Sequence, residues 1–188
     1  MHLAFSRIEV YDLFKSWLAV SLAFTIASVG LQFNMGVVII FGILAFSAGI
    51  GFVLHELAHK VVAQRFGAFA EFRSNDQMLL IMLLVSAFGF IFAAPGAVFT
   101  HGSLSFDKYG KISLAGPLMN IVLALLFFGL TFTQFALIGH YGATINAWLA
   151  VFNLLPFPMF DGFKVLAWNR WVWALAGIAA VAVLLLTF

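Results

Sequence analysis

Long stretches without charge restrict the fold of this chain more than any other feature. Only 9% of its 188 residues are charged, whereas a soluble domain carries about a quarter. A transmembrane helix needs roughly 20 apolar residues, and four uncharged stretches are about that long or longer: residues 16–55, 77–106, 112–160 and 171–188. We therefore predict an integral membrane protein whose single domain covers residues 1–188.

Hydrophobic runs within these stretches predict an α-helical, multi-pass architecture. We expect about five transmembrane helices, at residues 17–33, 36–60, 112–132, 138–156 and 171–188. The second helix is expected to continue to Arg65 and to end at Gly67, because no proline interrupts it and glycine commonly follows a helix C-terminus. Gly49 and Gly51 in that helix are expected to allow a neighbouring helix to approach closely.

The basic residues predict the orientation of these helices. None of the nine Lys and Arg residues lies in the loops expected near residues 31–36 and 133–146. Because basic residues concentrate on the cytoplasmic side, we predict that the N-terminus and all nine basic residues share that side. The apolar block Met78–Ala94 must then enter and leave on one side, as a re-entrant or interfacial segment.

Short β-structure is expected on either side of this block. Residues 68–77 are polar and alternating, which is typical of a short strand or a loop. The apolar block and the following residues 94–100 are placed to offer an edge strand that holds a substrate in extended form. The alternative is that this segment only packs against the rest of the protein.

An HExxH motif, His55-Glu56-Leu57-Ala58-His59, lies in the second predicted helix. The two imidazoles are four residues apart and share one helix face, so they can bind one zinc ion, with Glu56 beside them as a general base. The alternative is a polar helix end that is solvated by the cytoplasm. An unpaired carboxylate near the membrane is costly unless it has a function, and this cost favours the metal site.

A catalytic zinc site needs a third protein ligand. The extended zincin pattern requires a histidine where the chain has Arg65, and the last glutamate is Glu71, just after the motif. Asp161 is the only acidic residue after Asp107, so it is the candidate third ligand. Its alternative role is the N-cap of the following helix.

Three segments, taken together, resemble the site-2 protease family of intramembrane zinc metalloproteases. They are the HExxH motif, AGPLMN at residues 115–120 and NLLPFPMFDG at residues 153–162, in the order typical of that family. The resemblance implies a catalytic core at about residues 36–170. The chain departs from many members of the family in lacking a PDZ insertion and a CBS tail, so we expect a short form. The resemblance also implies one zinc ion per chain held by His55, His59 and Asp161, with Glu56 as the acid/base residue.

Two asparagines match positions that the family associates with the active site or with substrate alignment, namely Asn120 and Asn153. Asn153 can donate a hydrogen bond to the developing oxyanion or to the substrate backbone. Alternatively, it caps or holds the helix ends that are broken at Pro156.

The sequence thus predicts a protease that cuts peptide bonds in or near the transmembrane segments of membrane-protein substrates, using a zinc-activated water and Glu56 as base. Nucleic acid is not an expected partner, since no basic run with interleaved aromatics occurs. Two other interpretations remain open. A gluzincin of the prenyl-protein protease kind would need a downstream glutamate ligand, and a metal-ion transporter or metal-dependent binding protein would use the same polar residues without proteolysis.

Overall fold

The computed structural model describes residues 4–91 and 95–188. These residues form eight α-helices and a two-stranded antiparallel sheet. The helices are α1 (Arg7–Val29), α2 (Met35–Leu44), α3 (Ile50–Arg65), α4 (Asp76–Ser86), α5 (Phe106–Leu130), α6 (Ala136–Asn153), α7 (Asp161–Trp168) and α8 (Arg170–Leu186). The strands are β1 (Phe69–Ser74) and β2 (Gly96–His101).

The long second helix is present as predicted. A π-helical turn at Ala45–Gly49 joins α2 to α3, so that Met35–Arg65 is one continuous helix of 31 residues. At 1.5 Å per residue it is about 46 Å long, which exceeds the roughly 30 Å hydrocarbon core of a bilayer. The HExxH motif lies in its last three turns, towards the end that carries Arg65.

The first helix differs from the prediction, because it covers Arg7–Val29 instead of 17–33. Its early start has a local cause: the Ser6 side chain caps the helix by accepting the Glu9 N–H at 3.0 Å. The helix ends early because Gly30 follows with a φ of 74°, a conformation that glycine adopts without strain. Charged residues near the N-terminus are therefore part of the helix.

The helices α1, Met35–Arg65 and α5 are the three in the described part of the chain that are long and apolar enough to cross a membrane by length and composition. The shorter α8 has 17 residues, and α6 has 18 but includes His140, Asn146 and Asn153. The predicted class, a mostly helical membrane protein, is confirmed at this level. The number of five spans stays a prediction.

The central helix of the fold is α5. It packs against α3 and α6, and it also contacts α7 and α8. Small side chains allow close packing between membrane helices, and alanines dominate the cluster that joins α5 to α6 and α8: Ala124, Ala147, Ala150, Ala176 and Ala180. Helix α5 begins at Phe106, earlier than the predicted residue 112, because the Ser105 side chain caps it by accepting the Lys108 N–H at 3.4 Å.

Acidic side chains of α1 hold the outer edge of β1. Glu9 accepts the Phe72 N–H at 3.0 Å, and Asp12 accepts the Ser74 N–H at 3.4 Å. The second oxygen of Glu9 binds the ammonium of Lys60, and only 1% of each side chain is exposed. The Glu9 carboxylate therefore joins α1, α3 and β1.

The segment between the strands starts and finishes at the same place. Ser74 at the end of β1 lies opposite Gly96 at the start of β2, and Asn75 N–H donates to the Pro95 carbonyl at 2.9 Å. Helix α4 between them has 11 residues, about 17 Å at 1.5 Å per residue, which is too short to cross a bilayer. This geometry agrees with the re-entrant segment predicted at 78–94, whose residues 92–94 lie outside the described ranges.

Single cysteines can test this topology, because the natural chain contains no cysteine. Gln77 and Ser103 are exposed and flank the re-entrant segment. We expect an impermeant thiol reagent to label cysteines at these two positions from the same side of membrane vesicles. A cysteine at Gln134, beyond the far end of α5, is the matched control and should be labelled from the other side. Labelling of positions 77 and 103 from opposite sides would contradict the re-entrant segment.

Candidate metal centre

Three predicted ligands converge between α3 and α7. The Nε2 atoms of His55 and His59 are 3.0 Å apart. An Asp161 carboxylate oxygen lies 3.3 Å from the His55 Nε2 and 3.0 Å from the His59 Nε2. Both histidines are buried, with 5% and 7% of their surface exposed. The structure thus brings together side chains that are about a hundred residues apart in the sequence.

The other ring nitrogens of the histidines face hydrogen-bond acceptors. The Nδ1 of His59 lies 2.7 Å from the Ile112 carbonyl oxygen, and the Nδ1 of His55 lies 2.6 Å from the Asn120 Oδ1. With these partners each Nδ1 carries the ring proton, which leaves each Nε2 free to offer its lone pair to a metal ion. This tautomer is the one in which a histidine binds metal through Nε2.

The donor set fits a zinc ion. Two imidazole nitrogens and one carboxylate oxygen are the ligands of a catalytic zinc site, and bonds of about 2.0–2.2 Å at tetrahedral angles separate ligand atoms by about 3.3–3.6 Å. The observed separations of 3.0–3.3 Å approach these values. Three electron-rich atoms this close repel one another unless a cation lies among them.

The Asp161 carboxylate is ionised at neutral pH. Burial alone would raise its pKa, but in the metal-free centre a positive charge on His59 and hydrogen bonds from imidazole protons outweigh burial and lower the pKa below its ordinary value. Asp161 is the first residue of α7, whose N-cap is Phe160, and no side chain caps this helix by a hydrogen bond. The alternative role of Asp161 as an N-cap is therefore wrong.

Helix α5 contributes open space to the centre through Gly116. A Cβ atom at this position would lie 2.4 Å from the His59 Nε2 and 2.5 Å from the His55 Nε2. Any side chain there would collide with the metal-binding nitrogens of both histidines. The glycine of the AGPLMN segment thus has a steric reason to be present.

A cavity of about 160 Å³ adjoins the ligands. Glu56 lines it beside the two histidines and is 8% exposed. Asn153, the last residue of α6, also lines it, and its Nδ2 donates to the Leu149 carbonyl at 3.0 Å. Asn120 lines the cavity as well, so the predicted general base and both predicted asparagines border it.

The outer edge of β2 borders the same cavity. Because the N–H groups of Phe72 and Ser74 bind α1, their partners Val98 and Gly96 are non-hydrogen-bonded pairs of the ladder. The alternating residues Gly96, Val98 and Thr100 therefore direct their backbone polar groups away from β1, and all three line the cavity. An extended peptide could pair with this edge.

Sequence reasoning missed one residue of this region. Asn146 on α6 is completely buried and accepts a hydrogen bond from the Asn120 Nδ2 at 3.0 Å. The available signal was its place in an apolar helix, where a polar side chain is costly unless it is hydrogen-bonded.

Substitution of Gly116 tests the metal centre without changing a ligand. We expect Gly116→Ala to lose bound zinc, because the new methyl group would lie within 2.5 Å of both Nε2 atoms. Gly129→Ala is the matched control on the same helix, where a Cβ atom meets nothing within 4 Å. Elemental analysis of the purified proteins should find about one zinc per chain in wild type and control. Full zinc occupancy in Gly116→Ala would show that the ion binds elsewhere.

Sequence comparison supports a metalloprotease. Three relatives are named putative zinc metalloproteases: MJ0611 of Methanocaldococcus jannaschii, YwhC of Bacillus subtilis and Rip2 of Mycolicibacterium smegmatis. MJ0611 is 40% identical over 96% of this chain and 95% of its own length. YwhC is 29% identical over 62% of this chain and 64% of its own, and Rip2 is 33% identical over 60% and 51%.

No family model matches the chain, and no solved structure matches it. The assignment therefore rests on these relatives and on the three sequence segments described above. An identity of 40% over nearly the full length of both proteins is sufficient, and the chain belongs to the site-2 protease family of zinc metalloproteases.

Proposed function

We propose that this protein is an intramembrane protease that hydrolyses peptide bonds in or near the transmembrane segments of membrane-protein substrates. The convergence of His55, His59 and Asp161 in a helical membrane protein is the observation that carries the proposal. The names of the relatives support metalloprotease chemistry. They do not favour a metal transporter or a metal-dependent binding protein.

His55, His59 and Asp161 would hold one zinc ion per chain beside the cavity. A zinc ion bound there supplies Lewis acidity, which polarises a carbonyl and makes water a better nucleophile at neutral pH. The three ligands come from two helices that both pack against α5, and the hydrogen bonds of the histidines to Ile112 and Asn120 orient the imidazoles.

Glu56 would transfer the proton during hydrolysis. Its carboxylate lines the cavity next to the two histidines, so it can take a proton from the attacking water. It can then deliver that proton to the amine that leaves as the peptide bond breaks. The Glu56 side chain is buried, which limits access of other water to this carboxylate.

The asparagines would act in different ways. Asn153 lies in the cavity and uses one amide hydrogen for the Leu149 carbonyl, which leaves a second hydrogen to donate to substrate backbone or to the developing oxyanion. Asn120 contacts the Nδ1 of His55, so we assign it to orientation of that ligand.

A substrate would bind as an added strand along β2. A helical segment keeps its carbonyls in its own hydrogen bonds, and hydrolysis needs a locally extended chain. The open groups of Val98 and Thr100 offer backbone donors and acceptors along the cavity, which is the strand-addition mode of peptide recognition. The positive-inside bias suggests that the N-terminus and the active-site end of the helices face the cytoplasm.

Glu56→Gln tests the proposed chemistry. The amide has the size of the carboxyl group but cannot take a proton, so cleavage of a membrane-spanning test peptide by purified protein should fall by about 10²–10⁴-fold. Zinc content should stay at the wild-type level, and a chelator should abolish wild-type cleavage. Near wild-type proteolysis would remove Glu56 from its role, whereas loss of zinc would indicate that Glu56 is itself a ligand.

Thr100→Pro tests the strand-addition step. Proline removes the N–H that faces the cavity but leaves the hydrogen bonds between β1 and β2 intact, and edge strands tolerate it. We expect kcat/KM for the test peptide to fall up to about tenfold, the value of one lost hydrogen bond, with zinc content unchanged. Thr100→Val keeps the N–H and is the control. Equal activity of the two variants would argue against pairing at this edge.

A further inference from the structure

The two zinc-ligating histidines are oriented by different means. The Nδ1 of His59 faces a backbone carbonyl, that of Ile112, at 2.7 Å. The Nδ1 of His55 faces a side-chain amide, that of Asn120, at 2.6 Å. A backbone carbonyl presents an acceptor only, whereas an amide can rotate to present either its oxygen or its NH₂ group. The tautomer of His55 therefore depends on which way the Asn120 amide points.

The wrong orientation of Asn120 would be incompatible with zinc. If its NH₂ group faced His55, the Nδ1 would have to accept, and the ring proton would move to Nε2. That Nε2 could then no longer offer a lone pair to the ion. The site needs a contact that keeps the Asn120 oxygen towards His55.

Asn146 supplies such a contact. The Asn120 Nδ2 donates to the Asn146 Oδ1 at 3.0 Å and to the Gly51 carbonyl at 3.3 Å. With the amide reversed, the Asn120 oxygen would face both of these oxygens. The repulsion would occur in a completely buried site, where no water can relieve it.

Backbone carbonyls in turn determine the orientation of Asn146. Its Nδ2 donates to the Gly142 carbonyl at 2.9 Å and to the Ser47 carbonyl at 3.5 Å. The Ser47 carbonyl belongs to the π-helical turn, in which backbone groups leave the regular α-helical pattern. Since these carbonyls can only accept, the Asn146 oxygen must point towards Asn120.

We propose that Asn146 is a positioning residue that sets the metal-binding tautomer of His55 through Asn120. Asn146 touches neither the ion nor the substrate. Two backbone carbonyls fix the orientation of the Asn146 amide, and Asn146 fixes the orientation of the Asn120 amide. The Asn120 oxygen then fixes the tautomer of His55. The inference rests on the proposed zinc site, and it assigns Asn146 a role in the zinc affinity of that site.

Gly51 leaves the space that the Asn146 oxygen occupies. A Cβ atom at this position would lie 2.3 Å from the Asn146 Oδ1, so any side chain there would displace the oxygen that binds Asn120. Helix α6 thus approaches closely at Gly51, as expected, and this approach allows the hydrogen bond between Asn146 and Asn120 to form. Gly42, on the same continuous helix, has no atom within 4 Å of its Cβ position and provides a matched control.

The first test is the zinc affinity of purified variants, measured by competition with a chromophoric chelator. Loss of an outer-shell hydrogen bond typically costs about 10–100-fold in metal affinity, and we expect Asn146→Leu and Gly51→Ala to lose about tenfold or more. Thr144→Val on α6 removes a buried hydroxyl that has no partner among the described residues. It should bind zinc like wild type, as should Gly42→Ala.

The second test separates positioning from helix packing. In Asn120→Asp both carboxylate oxygens accept, so the orientation of the group no longer matters for His55. We therefore expect the double variant Asn120→Asp/Asn146→Leu to bind zinc more tightly than Asn146→Leu alone. The reversal should be partial, because the second carboxylate oxygen faces the Gly51 carbonyl. If Asn146 only packs the helices, the two substitutions should act additively and no rescue should occur.

The outcomes distinguish this inference from the proposed function. Wild-type protein that binds no zinc would overturn the proposed function. Wild-type zinc binding with unchanged affinity in both Asn146→Leu and Gly51→Ala would overturn the role of Asn146 and leave the protease proposal intact. Thermal unfolding of the metal-free protein shows whether Asn146→Leu folds. If it does not, the zinc affinity of Gly51→Ala compared with that of Gly42→Ala decides whether Asn146 positions His55. Additive losses in the double-variant test would also contradict the inference.

Discussion

The position of the sheet depends on the buried carboxylate of Glu9. One of its oxygens binds Lys60, the residue after His59, and the other accepts the Phe72 N–H of β1. A carboxylate buried without partners is strongly destabilising, so α1, α3 and β1 must assemble together to satisfy it. Because β2 pairs with β1, this one group also holds the open edge of β2 beside the metal ligands.

The same requirement explains the hydrogen bonds around the metal centre. Each polar group in an apolar interior needs a partner, and here the partners also determine chemistry. The Ile112 carbonyl orients His59, and the chain of Asn146 and Asn120 orients His55. Glycines supply the space that these contacts need, Gly116 at the ligand atoms and Gly51 at the Asn146 oxygen. The close packing at these two glycines and the hydrogen bonds of the histidines therefore depend on each other.

Sequence reasoning was most successful where a short-range pattern carries the information. The HExxH spacing places His55 and His59 on one helix face whatever the rest of the fold does, and elimination of other acidic residues left Asp161. It failed at the start of α1, because the charges before residue 17 suggested a segment outside the helix. Glu9 and Asp12 are tolerated in α1 only because β1 and Lys60 neutralise or bind them, and such partners cannot be recognised from local composition.

The sequence by itself determined that the chain is a helical membrane protein, that two histidines share a helix face, and that its segments match those of a known family. These properties follow from composition and local periodicity, which act over a few residues. Only the tertiary structure decided that Asp161 reaches both histidines, that β2 is the open edge at the cavity, and that Asn146 completes the hydrogen bonds of His55. Those contacts join residues far apart in the chain, and packing brings them together only when the polar groups of this site find partners at once.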